Sequence, residues 1–161
     1  MKEPARRRAA ARTVIVRGVT RAPADAVWSL LADPWAYSRW VCGTVRIRRA
    51  DRSWPAPGSR LLHSFGPWPV RVRDDTRVLA AEPPRRLVLL ARARPLGSAQ
   101  VEITLAACGP GTEVTMRQDL RGGLGAWFAL AGHAVQLRRN RHSLAALIDL
   151  CDRSGRLDEA E

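Results

Sequence analysis

The last stretch of the chain constrains its fold most. From Leu124 to Cys151 the sequence reads as one long amphipathic helix. Apolar residues recur at Leu130, Ala134, Leu137, Leu144, Ile148 and Cys151, a spacing that places them on one helical face. At about 1.5 Å per residue such a helix runs ~40 Å, enough to cross a sheet. Strand-like runs fill most of the sequence before it, and a sheet with one apolar face has to cover that face. No other element is long enough to do so. The expectation is an α+β domain: a curved antiparallel sheet of about seven strands wrapped around the C-terminal helix, with an apolar hollow between them.

The runs themselves support this. Thr13 to Thr20 is β-branched and reads as the first strand. Pro23 to Trp40 reads as two short helices: Pro23 stands at a first helical position with Asp25 in the first turn, and Asp33-Pro34 repeats the start signal. Further strands are expected over Val41–Ala50, Arg60–Phe65 and Trp68–Ala80, the last alternating Val70, Val72, Thr76 and Val78 against arginines. Leu87, Leu89, Ala91 and Ala93 face inward on the fifth strand. Ala99, Val101, Ile103 and Leu105 do so on the sixth, and Val114, Met116 and Gln118 on the seventh. Short loops between consecutive strands imply a meander of antiparallel neighbours.

The chain of 161 residues suits one domain. Residues 1–12 read as a disordered basic tail, 13–152 as the single domain and 153–161 as a flexible tail. No apolar run reaches the ~18 residues of a membrane span, and the N-terminus lacks the apolar segment of a secretory signal. Cys42, Cys108 and Cys151 are odd in number and widely spaced, which argues against a disulfide framework and a thiolate metal site. No metal site and no cofactor are expected, and the cytoplasm is the simplest location. The net charge of +12 comes almost wholly from arginines spread over tail, strands and final helix, with Lys2 the sole lysine. A solvated basic surface accounts for that spread. Nucleic acid ranks last among partners, since no helix-turn-helix or aromatic-basic strand pattern appears. An anionic membrane surface stays open as a partner, and so does the choice between monomer and homodimer.

A few polar and aromatic residues stand out. If Leu61, His63 and Phe65 face the interior, His63 is placed for general acid or base work; otherwise it bonds a neighbour or faces water. Asp74 shares the inward parity of Val72 and Thr76, where a carboxylate is costly unless paired, though a bulge at Asp74-Asp75 would turn it to solvent. His133 falls near Leu137 on the helical wheel and reaches a ligand from the roof of the hollow, or is a satisfied core or edge residue. Arg141 flanks the same stripe and either holds a ligand carboxylate or enolate oxygen or extends to solvent. Trp28 and Trp40 fill the core or line the hollow, while Trp68 and Trp127 suit its mouth.

The ordered segments resemble the START-like, or helix-grip (SRPBCC), superfamily, with its polyketide cyclase/dehydrase and lipid-transport group. Ala22 to Trp28, Leu31 to Pro34 with Trp40, Pro57-Gly58-Ser59, the Glu82 to Leu87 turn, and Arg138 to Arg141 with Leu144 carry the likeness. The resemblance implies a helix-grip fold that carries or sequesters a small hydrophobic molecule, polyketide-, lipid- or isoprenoid-like, between sheet and closing helix. Ligand contacts would come from Trp28, Trp40, Phe65, Trp68, Asp74, Met116, Gln118, Trp127, Leu137 and Arg141. The alternative is a cyclase/dehydrase-type enzyme, with His63 or His133 moving protons. Whether the chain is an enzyme stays open.

Overall fold

The structure, a computed structural model, describes residues 13–66, 72–93, 97–121 and 125–158, and within the closing helix the side chains of 132–155. The order is β1 (Thr13–Thr20), α1 (Ala24–Ala32), α2 (Tyr37–Trp40), β2 (Thr44–Ala50), β3 (Arg60–Phe65), β4 (Val72–Glu82), β5 (Arg86–Ala93), β6 (Gly97–Cys108), β7 (Gly111–Arg121) and α3 (Gly125–Asp158). The strands form one antiparallel sheet in the order β1-β7-β6-β5-β4-β3-β2. Strands β2 to β7 are the expected meander. β1 closes the far edge by pairing with β7 from Thr13↔Asp119 to Thr20↔Thr112.

Period-two alternation sets the inner face. One row runs Leu87–Ile103–Met116–Val16 and another Leu89–Val101–Gln118–Val14, each residue opposite the next across the ladder. Most of these side chains are buried. Burial of each large aliphatic group contributes about 1.5–3 kcal/mol, so this face is the main source of cohesion. The helices α1 and α2 add Val27, Leu31, Tyr37 and Trp40 to the same core.

α3 covers the sheet chiefly at β1, with further packing on α2, β7 and α1. It starts at Gly125 and runs to Asp158, beyond the expected end at Cys151. Its buried face is Asn140, Ser143, Leu144, Leu147 and Cys151, with Leu137 and Ile148 half-buried. Ala134 is exposed, so the stripe is rotated from the one expected. The physical reason is the turn after α2. Ser143 Oγ accepts the Cys42 N–H at 2.9 Å, and Arg139 donates to the Cys42 carbonyl at 3.0 Å. Docking that turn buries two polar helix positions that hydrophobicity alone does not select.

Several element starts also shift. Pro23 is the N-cap of α1 rather than its first residue, and its carbonyl accepts the amides of Ala26 and Val27. Asp33 Oδ1 does accept the Trp35 amide, at 2.8 Å, but this builds a turn, and α2 begins only at Tyr37. β2 begins at Thr44 because residues 41–43 form the turn that α3 holds, with Gly43 at φ 89°. β4 is described from Val72 to Glu82, past the expected end at Ala80.

Candidate functional site

The inner face changes character at its β3–β4 end. His63 lies directly opposite Asp74, and Leu61 opposite Thr76, in an unbroken register. The bulge considered at Asp74-Asp75 is absent there; the irregularity in β4 falls between Val78 and Ala80, on the β5 side. Asp74 therefore keeps its inward parity and is only 6% exposed, and His63 is 5% exposed. From α2, Tyr37 reaches the same place. Its hydroxyl lies 3.2 Å from Thr76 Oγ1, and its ring centroid is 5.7 Å from that of His63. Trp40 and Trp54 pack edge-on to Tyr37, at 5.4 and 6.5 Å, and Phe65 stands 6.3 Å from His63. Trp54 is itself fixed by donating Nε1–H to the Leu31 carbonyl.

The result is a phenol, an imidazole, a carboxylate and a hydroxyl gathered inside an aromatic collar. Their protonation follows from burial. Desolvation pushes the His63 pKa below its ordinary value; the Leu61 carbonyl and Asp74 oppose this, and Arg48 adds to it. The imidazole is neutral at pH 7. Desolvation also raises the Tyr37 pKa, helped by Asp74 and opposed by the Thr76 hydrogen bond, so the phenol keeps its proton. Arg48 owes its place to the irregular stretch of β2 between Ile47 and Arg49. From there its guanidinium reaches the His63 and Asp74 carbonyls, each at 3.5 Å. Asp74 Oδ1 accepts the Asp75 amide at 2.7 Å.

Such a group can orient a ligand oxygen and exchange a proton with it through the neutral imidazole. Two nearby donors or acceptors are buried without a hydrogen bond, Trp40 Nε1 and His63 Nδ1. On α3, Asn140 Nδ2 is in the same state. Buried polar atoms are normally satisfied, so these are points where a ligand atom or a water adds most.

The other residues expected at the site divide. Met116 and Gln118 are buried on the inner face of β7, Leu137 is half-buried against the core, and so is Trp28. His133 and Arg141 are exposed. Arg141 lines a separate groove between α3 and β1. Trp68 and the Trp127 side chain lie outside the described residues. Tyr37 and Thr76, central to the cluster, were not among the expected site residues. The available signals were the sole tyrosine standing three residues before Trp40, and a threonine two residues after Asp74 on the same strand parity. Among the described residues no set of three or more His, Cys, Asp or Glu side chains could hold a metal ion, and no helix is long and apolar enough to cross a membrane.

Residues 11–151 match the family model described as polyketide cyclase / dehydrase and lipid transport. No curated protein matches the chain. Among solved structures, protein CV1439 from Chromobacterium violaceum has a TM-score of 0.69 at 22% identity, covering 87% of this chain and 97% of that one. A protein from Arthrobacter aurescens gives 0.72 at 15% identity, covering 90% and 88%. DynU16, a protein in the dynemicin biosynthetic locus, gives 0.64 at 22% identity, covering 86% of this chain and 46% of that one. At these identities the likeness is one of fold.

Proposed function

Because the chain belongs to the polyketide cyclase/dehydrase and lipid transport family, we propose that it binds a small hydrophobic molecule between its sheet and its closing helix, polar end toward β3 and β4. The observation that carries this reading is the inner face itself. It is mainly apolar across β1, β7, β6 and β5, with Thr20, Thr112 and Gln118 as polar exceptions, and its β3–β4 end buries the His63, Asp74, Thr76 and Tyr37 cluster. An apolar wall with a few convergent polar groups is the ordinary make-up of a small-molecule site. Burial would drive binding at about 25 cal/mol per Å² of apolar surface, and the cluster would fix orientation. Polyketide-, lipid- or isoprenoid-like molecules with one oxygenated end fit this description. The proposal places the protein in the cytoplasm, as a monomer or homodimer, without a cofactor.

Trp40 and Trp54 both pack on Tyr37, so a ligand seated there changes their surroundings. Titration with a panel of polyketide-like, acyl and isoprenoid molecules is expected to quench tryptophan fluorescence saturably. Flat titrations across the panel, together with native mass spectra of host-purified protein showing no retained molecule, would refute the proposal.

One observation favours a second reading, catalysis of the cyclase/dehydrase kind: His63 is held neutral directly across the ladder from Asp74. A neutral imidazole can take a proton from an activated carbon or hydroxyl, and a neighbouring carboxylate stabilises the cation formed. In this reading His63 acts with Asp74 and Tyr37 rather than with the exposed His133. Loss of turnover of a poly-β-ketone in His63→Ala, with ligand quenching kept, separates catalysis from carriage.

A further inference from the structure

The inward parity of β3 and β4 has a counterpart on the other side of the sheet. Leu61, His63, Asp74, Thr76 and Val78 are buried, so Arg60, Leu62 and Ser64 on β3 and Arg73, Asp75 and Arg77 on β4 point to the outer face. Residues directly opposite in a ladder share a face. Arg46 and Arg49 of β2 lie opposite Ser64 and Leu62, and Leu90 of β5 lies opposite Arg77. Arg92 reaches Asp75 at 3.8 Å and belongs to the same side. The fold thus gathers six arginines and one acid on the outer face of β2 to β5. Arg46, Arg49, Arg60 and Arg73 are exposed, and Arg77 and Arg92 are half-buried.

The other half of that face is balanced. On β1, β7 and β6 the outward positions carry Arg17 and Arg117 against Glu102, Glu113 and Asp119, and Arg117 pairs with Asp119. Arg86, at the start of β5, is held by Glu82 and Glu102. In the arginine half Asp75 is taken by Arg92, and the nearby Asp51 accepts the Arg60 amide. Among the described residues, Arg46, Arg49, Arg60, Arg73 and Arg77 make no ion pair. Arg60 and Arg77 stand directly opposite each other, where like charges are destabilising. Charges often guard an edge strand, which accounts for Arg46 and Arg49 on β2. It does not account for Arg60, Arg73 and Arg77, which lie on strands inside the sheet.

We propose that this half of the outer face docks on an anionic phospholipid surface. The arginines spread in two dimensions. β2 to β5 cover ~14 Å across three strand spacings, and Arg73 to Arg77 ~13 Å along one strand. That matches a layer of headgroups rather than the line of phosphates along a nucleic-acid strand. Among the described residues the face offers no aromatic ring on which a base could stack. Val45, next to Arg46 in the chain, and Leu79, two residues after Arg77, are 48% and 42% exposed. Headgroups and upper acyl carbons cover such aliphatic groups, and a phosphate backbone does not. The surface lies across the sheet from His63 and Asp74, so it stands or falls apart from the function proposed for the inner face.

Vesicle flotation of the full chain tests it. The protein should float at low ionic strength with vesicles of phosphatidylcholine and phosphatidylglycerol in equal parts, stay behind with phosphatidylcholine alone, and be released by salt, since the charges are exposed. Arg60→Gln/Arg73→Gln should weaken partitioning about thirtyfold, or about 2 kcal/mol, without lowering the urea midpoint, because one member of the Arg60–Arg77 repulsion is gone. Arg17→Gln/Arg117→Gln removes the same charge from the balanced half and should change partitioning by less than about threefold. Leu79→Ser leaves the charge unchanged and should still weaken partitioning. Equal loss in the two double variants would overturn the proposal by assigning binding to net charge alone, as would equal flotation with phosphatidylcholine alone. Binding of duplex DNA or poly(U) that depends on Arg60 and Arg73, with no flotation on the anionic vesicles, would overturn it too, by assigning the face to a nucleic acid.

Discussion

Removing the Tyr37 hydroxyl tests how the polar end of the inner face is held. Tyr37 Oη and Thr76 Oγ1 lie 3.2 Å apart, and the two residues are 6% and 0% exposed. Tyr37→Phe keeps the ring contacts with Trp40, Trp54 and His63 but strips the Thr76 hydroxyl of its partner. Leaving a buried polar group without its partner costs about 1–3 kcal/mol. Thr76→Val has the mirror effect: the shape is nearly conserved, valine suits a strand, and the phenol is orphaned. In the double variant both polar groups are gone, and replacing both members of a pair by apolar groups of the same shape is close to neutral. The double variant should therefore be less destabilised than the sum of the singles, by about 1–2 kcal/mol. Urea unfolding followed by tryptophan fluorescence reads this directly, provided the slope against denaturant is unchanged. Each single variant should also lower Tm by about 2–4 °C per kcal/mol for a chain of this size. If the two losses add within about 0.5 kcal/mol, the hydroxyls are not coupled, and the polar end is held by something other than this pair.

Two further predictions concern titration. His63 has a folded pKa below its ordinary 6.5 because burial disfavours the cation, so the unfolded chain takes up the proton first as pH falls. Its contribution is complete above about pH 6.5 and is lost below it, down to the folded pKa, at no more than about 1.4 kcal/mol per pH unit; His63→Phe should flatten the urea midpoint against pH in that window, and an unchanged slope would refute the assignment. Cys151 is buried and its thiol is pushed up to about 12, mainly by desolvation and then by Asp152, whereas Cys108 is exposed at the end of β6. In the folded chain at pH 8 a thiol reagent should label Cys108 and spare Cys151 until the protein unfolds; equal labelling rates would show that the α3 end does not pack as described.

What the sequence disclosed of this architecture followed the strength of the local signal. The strands were legible because period-two alternation is clear in Ile103, Leu105, Val114 and Met116, where a single-residue slip would turn all of them to water, although the apolar run Leu87 to Leu90 blurs it on β5. The same parity offered His63 and Asp74 inward places, with a water-facing strand position and a bulge as the alternatives, and both are buried in the structure. The stripe on α3 was less legible: Ala134 is exposed while Asn140 and Ser143 are buried, because the helix must dock a turn at Cys42 and Gly43 as well as cover an apolar face. Tyr37 escaped notice for a different reason. α2 is four residues long, too short for any periodicity, and its position over His63 is fixed by contacts from distant parts of the chain, the Cys42 clamp on α3 and the packing on Trp54. Arg141 shows the same dependence. Its angle on the helical wheel put it beside the stripe, but whether it turns toward the inner face of the sheet or toward the edge of β1 depends on how closely α3 approaches, and Gly18 on another element permits that approach. Parity can therefore name the polar residues a sheet turns inward, whereas the partner that reaches them from a helix is decided by close contacts between elements, which is why inward places for His63, Asp74 and Thr76 could be read from the chain and the approach of Tyr37 could not.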